Sequence, residues 1–184
     1  MKITLLPLIC LVSSTIAAPI NNAKRDLQAV DLAIQHVTAA LTRLDAAFNN
    51  INTRTKNKEE QNNSVNEILN INNFLQSELR IGTGVVTRGG NIGPVEAVSL
   101  VTPVQKLTAL TTQVTEGWQG PVKKLISASG KRDTVLRELT ATKKASNDFA
   151  DSFTNKLPLA YQYIGTVNKA TTSRSIQNAI DDYS

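Results

Sequence analysis

AVDLAIQHVTAALTRLDAAF (residues 29–48) repeats its apolar side chains with a helical period. Counted outward from that stretch, Leu27, Val30, Ile34, Val37, Leu41, Leu44, Phe48 and Ile51 alternate between steps of three and four residues. This places all eight on one face of a helix expected over about Asp26–Thr53. The seam is sustained for more than three heptads, so the helix is read as packing against other helices. What else the seam faces is the functional question.

The same period recurs downstream. Val65, Ile68, Leu69, Asn72, Leu75 and Leu79 mark a second helix over about Lys58–Leu79, with Ile71 and Phe74 widening its face. RIGTGVVTRGGNIGP (80–94) is rich in glycine and reads as the longest loop. Residues 94–128 read as one bent helix or two short ones. Pro94 suits a first turn, Pro103 interrupts, and Pro121 with Gly117 and Gly120 favours a bend. Val135, Leu139, Thr142, Ser146, Phe149, Phe153 and Leu157 define a helix over about Asp133–Lys156. Ala160, Ile164, Val167, Thr171, Ile176, Ala179 and Ile180 define the last, over about Pro158–Asp182. No alternating strand of useful length interrupts these patterns. The expected fold is all-α: an antiparallel bundle of four to six amphipathic helices, with an apolar central cavity as one way of using their seams.

The N-terminus reads as a targeting segment. Met1-Lys2 is followed by the apolar run Ile3–Val12 and then by small residues, the pattern of a secretory signal peptide over 1–17. Cleavage is expected after Ala17 or Ala18. Residues 18–25 read as a short propeptide ending in the dibasic pair Lys24-Arg25, which is either a processing site or two solvated cations. Residues 26–184 are then a single domain. Removing Lys2, Lys24 and Arg25 leaves 17 basic residues against 15 acidic, so most of the precursor's formal +5 charge is lost. A nucleic-acid partner is not expected. Cys10, the only cysteine, leaves with the signal segment, so neither a disulfide nor a thiolate site is expected. The polar ending IQNAIDDYS gives no hydrophobic anchor tail, and the product is read as extracellular: secreted and soluble, or held in a cell wall without a covalent link. Asn62, in NNS, is an N-glycosylation sequon.

Catalytic signals are sparse. His36 is the only histidine and sits beside the seam rather than on it. One histidine cannot build an HExxH zinc site, and no GxSxG occurs. Glu59-Glu60 and Asp181-Asp182 are adjacent pairs whose side chains point apart on a helix. GTGVVTRGGNIG fails both phosphate-loop fingerprints. The basic residues between Lys123 and Lys144 are interleaved with Asp133 and Glu138 and read as a solvated face. No enzyme activity, metal or cofactor is expected.

Several segments together resemble a fungal family. They are the AAP–KRD leader junctions, the opening helix LQAVDLAIQHVTAALTRLDAAF, TALTTQVTEGW, LTATKKASNDFADSFTNKLP and the closing SIQNAIDDYS. This combination is similar to the hydrophobic-surface-binding protein A family, which includes antigenic cell-wall galactomannoproteins. The resemblance implies an extracellular helical domain without enzymatic activity. Its members coat hydrophobic solids and recruit a cutinase-type esterase, or hold fatty acids between helices. The Ser/Thr-rich stalk of wall-anchored relatives is not matched here, which puts covalent wall attachment in doubt.

The expected function is therefore binding of hydrophobic surfaces or of lipids such as fatty acids. The alternative is a structural wall mannoprotein contacting polysaccharide, with no small ligand. A guest would be walled by Ile34, Val37, Leu41, Leu44, Leu75, Leu107, Val114, Leu139, Phe149, Phe153 and Ile164, although the same residues make an ordinary core without one. Thr111, Thr142, Ser146 and Thr171 lie on the same stripes. They either under-fill the core and leave a tunnel or bond back to their own helices.

Overall fold

The computed structural model describes residues 22–51 and 57–184. Its elements are α1 (Asn22–Asn49), α2 (Lys58–Arg88), α3 (Pro94–Gln119), α4 (Pro121–Ser129), α5 (Arg132–Thr154), the 3-10 turn η1 (Leu159–Tyr161) and α6 (Gln162–Asp181). The expected signal peptide, including Ala17 and Ala18, lies outside the described residues. Lys24-Arg25 falls in the first two turns of α1.

The α1 seam is buried as its period requires: Val30, Ile34, Val37, Leu41, Leu44 and Phe48 are all inside, joined by Ala33 and Ala40. The glycine-rich segment departs from expectation. Helix α2 runs through it to Arg88, and the connection shrinks to residues 89–93. The reason is a heptad seam that does not stop at Leu79. Val65, Ile68, Asn72, Leu75, Leu79, Gly82 and Val86 are all buried. Gly82 sits on that seam because nothing larger fits: a Cβ there would stand 2.8 Å from the Phe149 ring. Packing thus overrides the helix penalty of about 1 kcal/mol per glycine. Asn57 caps the start of α2 by accepting from the Glu60 N–H at 2.8 Å.

Pro103 does not interrupt α3, which continues for four more turns. The break comes at Gly120, with Pro121 opening α4 at the position where its missing N–H costs nothing. The stretch 94–128 is therefore two helices. In α6 the expected face holds only at its C-terminal end. Ile176, Ala179 and Ile180 are buried, whereas Val167 is 60% exposed and Thr171 faces solvent. Phe74, expected to widen the α2 face, is partly exposed beneath Arg43, whose guanidinium lies 5.0 Å from the ring centre.

The long helices form a closed ring. α1 packs on α2, α2 on α5, α5 on α6, α6 on α3, and α3 back on α1. Long helices that follow one another in the chain alternate in direction, while around the ring α2 runs parallel to α5, and α3 parallel to α6 and α1. Helix α4 covers one end, packing on α2, α3 and α5 and burying Val122 and Ile126. Beside it, Phe48 and Trp118 meet edge-on at 5.1 Å, and the buried Tyr183 hydroxyl donates to the Trp118 carbonyl at 2.5 Å. At the other end, the Ile92 N–H donates to Lys156 O at 2.9 Å and Lys156 Nζ donates to Gly89 O at 2.6 Å.

Candidate functional site

A ring of five has a consequence that a bundle of four does not. With neighbouring axes about 9 Å apart, four helices stand about 6 Å from their common axis and five about 8 Å. Since a helix with side chains has a radius of about 5–6 Å, four close the centre and five leave a bore of about 2 Å radius. The protein has such a bore: an apolar channel of about 70 Å3 walled by all five ring helices. Its α3 wall extends from Val104 to Trp118, about 21 Å at helical rise.

Ten of the eleven residues expected to wall a guest meet on this channel: Ile34, Val37, Leu41 and Leu44 from α1, Leu75 from α2, Leu107 and Val114 from α3, and Leu139, Phe149 and Phe153 from α5. Ile164 does not. It is half-buried outside the lining, and the α6 wall is made instead by Gly165, Asn168, Lys169, Thr172 and Ile176. Among the polar stripe members, Thr111, Thr142 and Ser146 reach the channel and Thr171 does not. The threonine hydroxyls also bond to their own helices. Thr111 Oγ1 donates to Leu107 O at 2.8 Å and Thr142 Oγ1 to Glu138 O at 2.9 Å. Both outcomes expected of them therefore coexist: the hydroxyl is satisfied locally, and the short side chain leaves space.

Lining residues outside the expected set fall into two groups. Leu79, Val104, Trp118 and Ile176 lie on the apolar stripes, so extending the period would have found them. Thr108, Asn168, Lys169 and Thr172 carry no apolar signal. They form a half-buried polar edge where α3, α5 and α6 meet. There Thr108 Oγ1 donates to Asn168 Oδ1 at 2.8 Å, and Lys169 Nζ donates to the Asp151 carboxylate at 2.6 and 2.7 Å. Lys169 is the one charged residue in the wall.

Elsewhere, titratable groups are engaged in packing and ion pairs. His36 is 56% exposed and meets Glu78 at 3.2 Å on the outer surface. The basic run is held by intramolecular partners: Lys123 bonds Asp182 at 2.8 Å, Arg132 Nε donates to Tyr183 O at 2.7 Å, and Lys144 bonds Asp148 at 2.6 Å. The hydrogen bond from Lys123 holds the exposed Asp182 carboxyl below its ordinary value. Burial, and then the neighbouring Asp182 charge, push the Tyr183 phenol up. Among the described residues no cluster of three or more His, Cys, Asp or Glu is arranged to hold a metal. None of the described helices is long and apolar enough to cross a membrane.

Fold and channel together define a helical container: a ring of amphipathic helices around an apolar bore with one polar edge. The chain belongs to the hydrophobic surface binding protein A family, whose model matches residues 14–155. It is 29% identical over 109 residues to cell wall mannoprotein 1 of Aspergillus flavus, spanning 40% of that protein's length and 59% of its own. Solved structures share the fold. Ligand binding domain 1 of the Penicillium marneffei MP1 protein, complexed with arachidonic acids, superposes with a TM-score of 0.78 at 16% identity, over 87% of this chain and 99% of that one. AFMP4P in complex with palmitic acid gives 0.76 at 11% identity, over 86% and 99%.

Proposed function

We propose that this protein is a secreted, non-catalytic binder of fatty acids, holding the acyl chain in the channel between its five long helices. The observation that carries this is the channel itself: an apolar channel whose α3 wall spans about 21 Å and whose only charged wall residue, Lys169, lies at its half-buried polar edge. An amphiphile with a long apolar tail and one negative end matches that distribution. Solved structures of this fold are complexes with arachidonic and palmitic acids, which supports the same ligand class here. In this reading the tail enters between α3, α5 and α6, and the carboxylate stays with Lys169, Asn168 and Thr108.

Secretion is part of the proposal: cleavage near Ala17 or Ala18, trimming after Lys24-Arg25, and glycosylation of Asn62. Asn62 lies near the start of α2, where its side-chain oxygen is buried without a partner among the described residues, so a glycan there needs that side chain to swing outward. Contact with oily surfaces, recruitment of a cutinase-type esterase and association with cell-wall polysaccharide are further roles that family membership supports. The similarity to a cell wall mannoprotein favours a second reading, a structural wall role with no small ligand.

Native mass spectrometry of the secreted protein, with solvent extraction of what it carries, separates the two. The first reading expects a stoichiometric fatty acid, lost on substituting the channel-wall residue Ala150→Phe. A protein that carries no lipid and takes up none when it is added leaves the wall role.

A further inference from the structure

One polar group in the channel is satisfied by nothing around it. Asn72 is fully buried, lines the channel from α2, and its Nδ2 has no hydrogen-bond partner among the described residues. A buried amide donor left unpaired is costly, and native proteins rarely keep one without a use.

The bonds behind Asn72 give it direction. Arg80 Nη2 donates to Gln76 Oε1 at 3.2 Å. Gln76 Nε2 donates to Thr142 Oγ1 at 3.2 Å and to Glu138 Oε2 at 2.9 Å. Thr142 Oγ1 donates to Asn72 Oδ1 at 3.2 Å. The links from Arg80 reach Asn72 on its oxygen side and leave Nδ2, on a residue that lines the channel, without a partner among the described residues. Thr142 has one hydroxyl proton, divided between Glu138 O at 2.9 Å and Asn72 Oδ1 at 3.2 Å, so Nδ2 is the open end of the network. What this end requires is an acceptor oxygen.

That acceptor must be neutral. No cation lines this level of the channel, and the Glu138 carboxylate sits three hydrogen bonds away through Thr142 and Gln76. An anion buried here would be unpaired, which is far more costly than a neutral oxygen. The negative end has its own place at Lys169, whose partner Asp151 lies nine residues beyond Thr142 on α5, about 14 Å along the axis.

We propose that Asn72 is a second polar station, which receives a hydroxyl part-way along the acyl chain, so that the channel prefers mid-chain hydroxylated fatty acids to plain ones. This rests on the fatty-acid reading and narrows it. Lys169 holds the carboxylate, Asn72 Nδ2 donates to the hydroxyl oxygen, and the spacing between them selects where on the chain the hydroxyl must be.

The test is calorimetric titration of the whole protein with octadecanoic acid and with a series of hydroxyoctadecanoic acids whose hydroxyl is moved along the chain. One mid-chain position is expected to bind roughly threefold to tenfold tighter than the plain acid, the worth of one neutral hydrogen bond. Asn72→Leu should erase that advantage, read as the ratio of the two acids' affinities, and Thr142→Val, which removes the hydroxyl behind Asn72 Oδ1, should reduce it. In the unsubstituted protein, the Asn72 side-chain amide protons should shift downfield in the NMR spectrum with the preferred hydroxy acid and not with octadecanoic acid. That readout stands if the variants fold poorly. Octadecanoic acid binding with no gain at any hydroxyl position, or a gain that survives Asn72→Leu, overturns this inference alone. Failure of every acid to bind overturns the fatty-acid reading and this inference with it.

Discussion

Helices α1 and α6 occupy equivalent places in the ring, yet they are built differently. Every turn of α1 from Val30 to Phe48 buries an apolar side chain. Between Gly165 and Ile176, α6 buries none, and it meets the channel with an amide, a lysine and a threonine. Helix α1 is fixed by its own hydrophobic seam. The middle of α6 is held mainly by hydrogen bonds and an ion pair, as with Lys169 to Asp151 and Thr108 to Asn168. Part-exposed contacts of this kind contribute little to stability. In the proposed function, α1 is the wall and α6 the side through which a guest would enter. On that proposal, a narrow channel that has to widen for a long acyl chain would be served by such an asymmetry.

Stability measurements can break this comparison. Leu44→Ala in α1 removes a fully buried side chain and is expected to cost about 2–5 kcal/mol in denaturant unfolding. Thr172→Ala in α6 should change stability by no more than about 0.5 kcal/mol. Equal losses would mean that α6 is as tightly built as α1. Amide hydrogen exchange sharpens the point: residues 166–175 should exchange well before residues 30–48. On α2, Gly82→Val forces the Phe149 ring aside and should cost about 1–3 kcal/mol by the same assay.

Ligand measurements act on the α6 side. Lys169→Met is expected to weaken binding of a fatty-acid anion about tenfold, the scale of one charge-assisted hydrogen bond, and to leave the matching fatty alcohol almost unaffected. Equal loss for both ligands would remove Lys169 from the carboxylate site.

A further effect belongs to the capped end. Tyr183→Phe removes the bond to Trp118 O and should cost about 1 kcal/mol near neutral pH. Because the folded phenol holds its proton above the ordinary value of 10.0, its stabilisation is complete below that pH and is lost as pH rises toward the folded value. The melting temperature should fall above pH 10.0 in the unsubstituted protein and less steeply in the phenylalanine variant.

The same contrast explains what could be read in the chain. The α1, α2 and α5 seams were legible because tight apolar packing writes a regular period, and those seams supplied most of the channel wall. The glycine-rich part of α2 reads as a loop because glycine's weak propensity is local, whereas the fit of the Phe149 ring against Gly82 depends on a partner 67 residues away. Val86 nevertheless continued the period and was the available signal. The α6 lining escaped because polar residues facing a channel look like polar residues facing water. Hydrophobicity points to Ile164, but the neighbouring Gly165 and Asn168 take the inward positions. Nor does the sequence show that five helices close a ring. That follows from which pairs touch, and the bore follows from the number five.

Trp118 offers the most direct test of the channel as a fatty-acid site, because it is the only tryptophan and it lines the bore. Its fluorescence should be quenched by a fatty acid brominated along the tail, saturably and at a fixed stoichiometry. The Ala150→Phe variant should abolish the effect. A brominated acid that binds while Trp118 fluorescence is unchanged would place the ligand outside the ring and contradict the account.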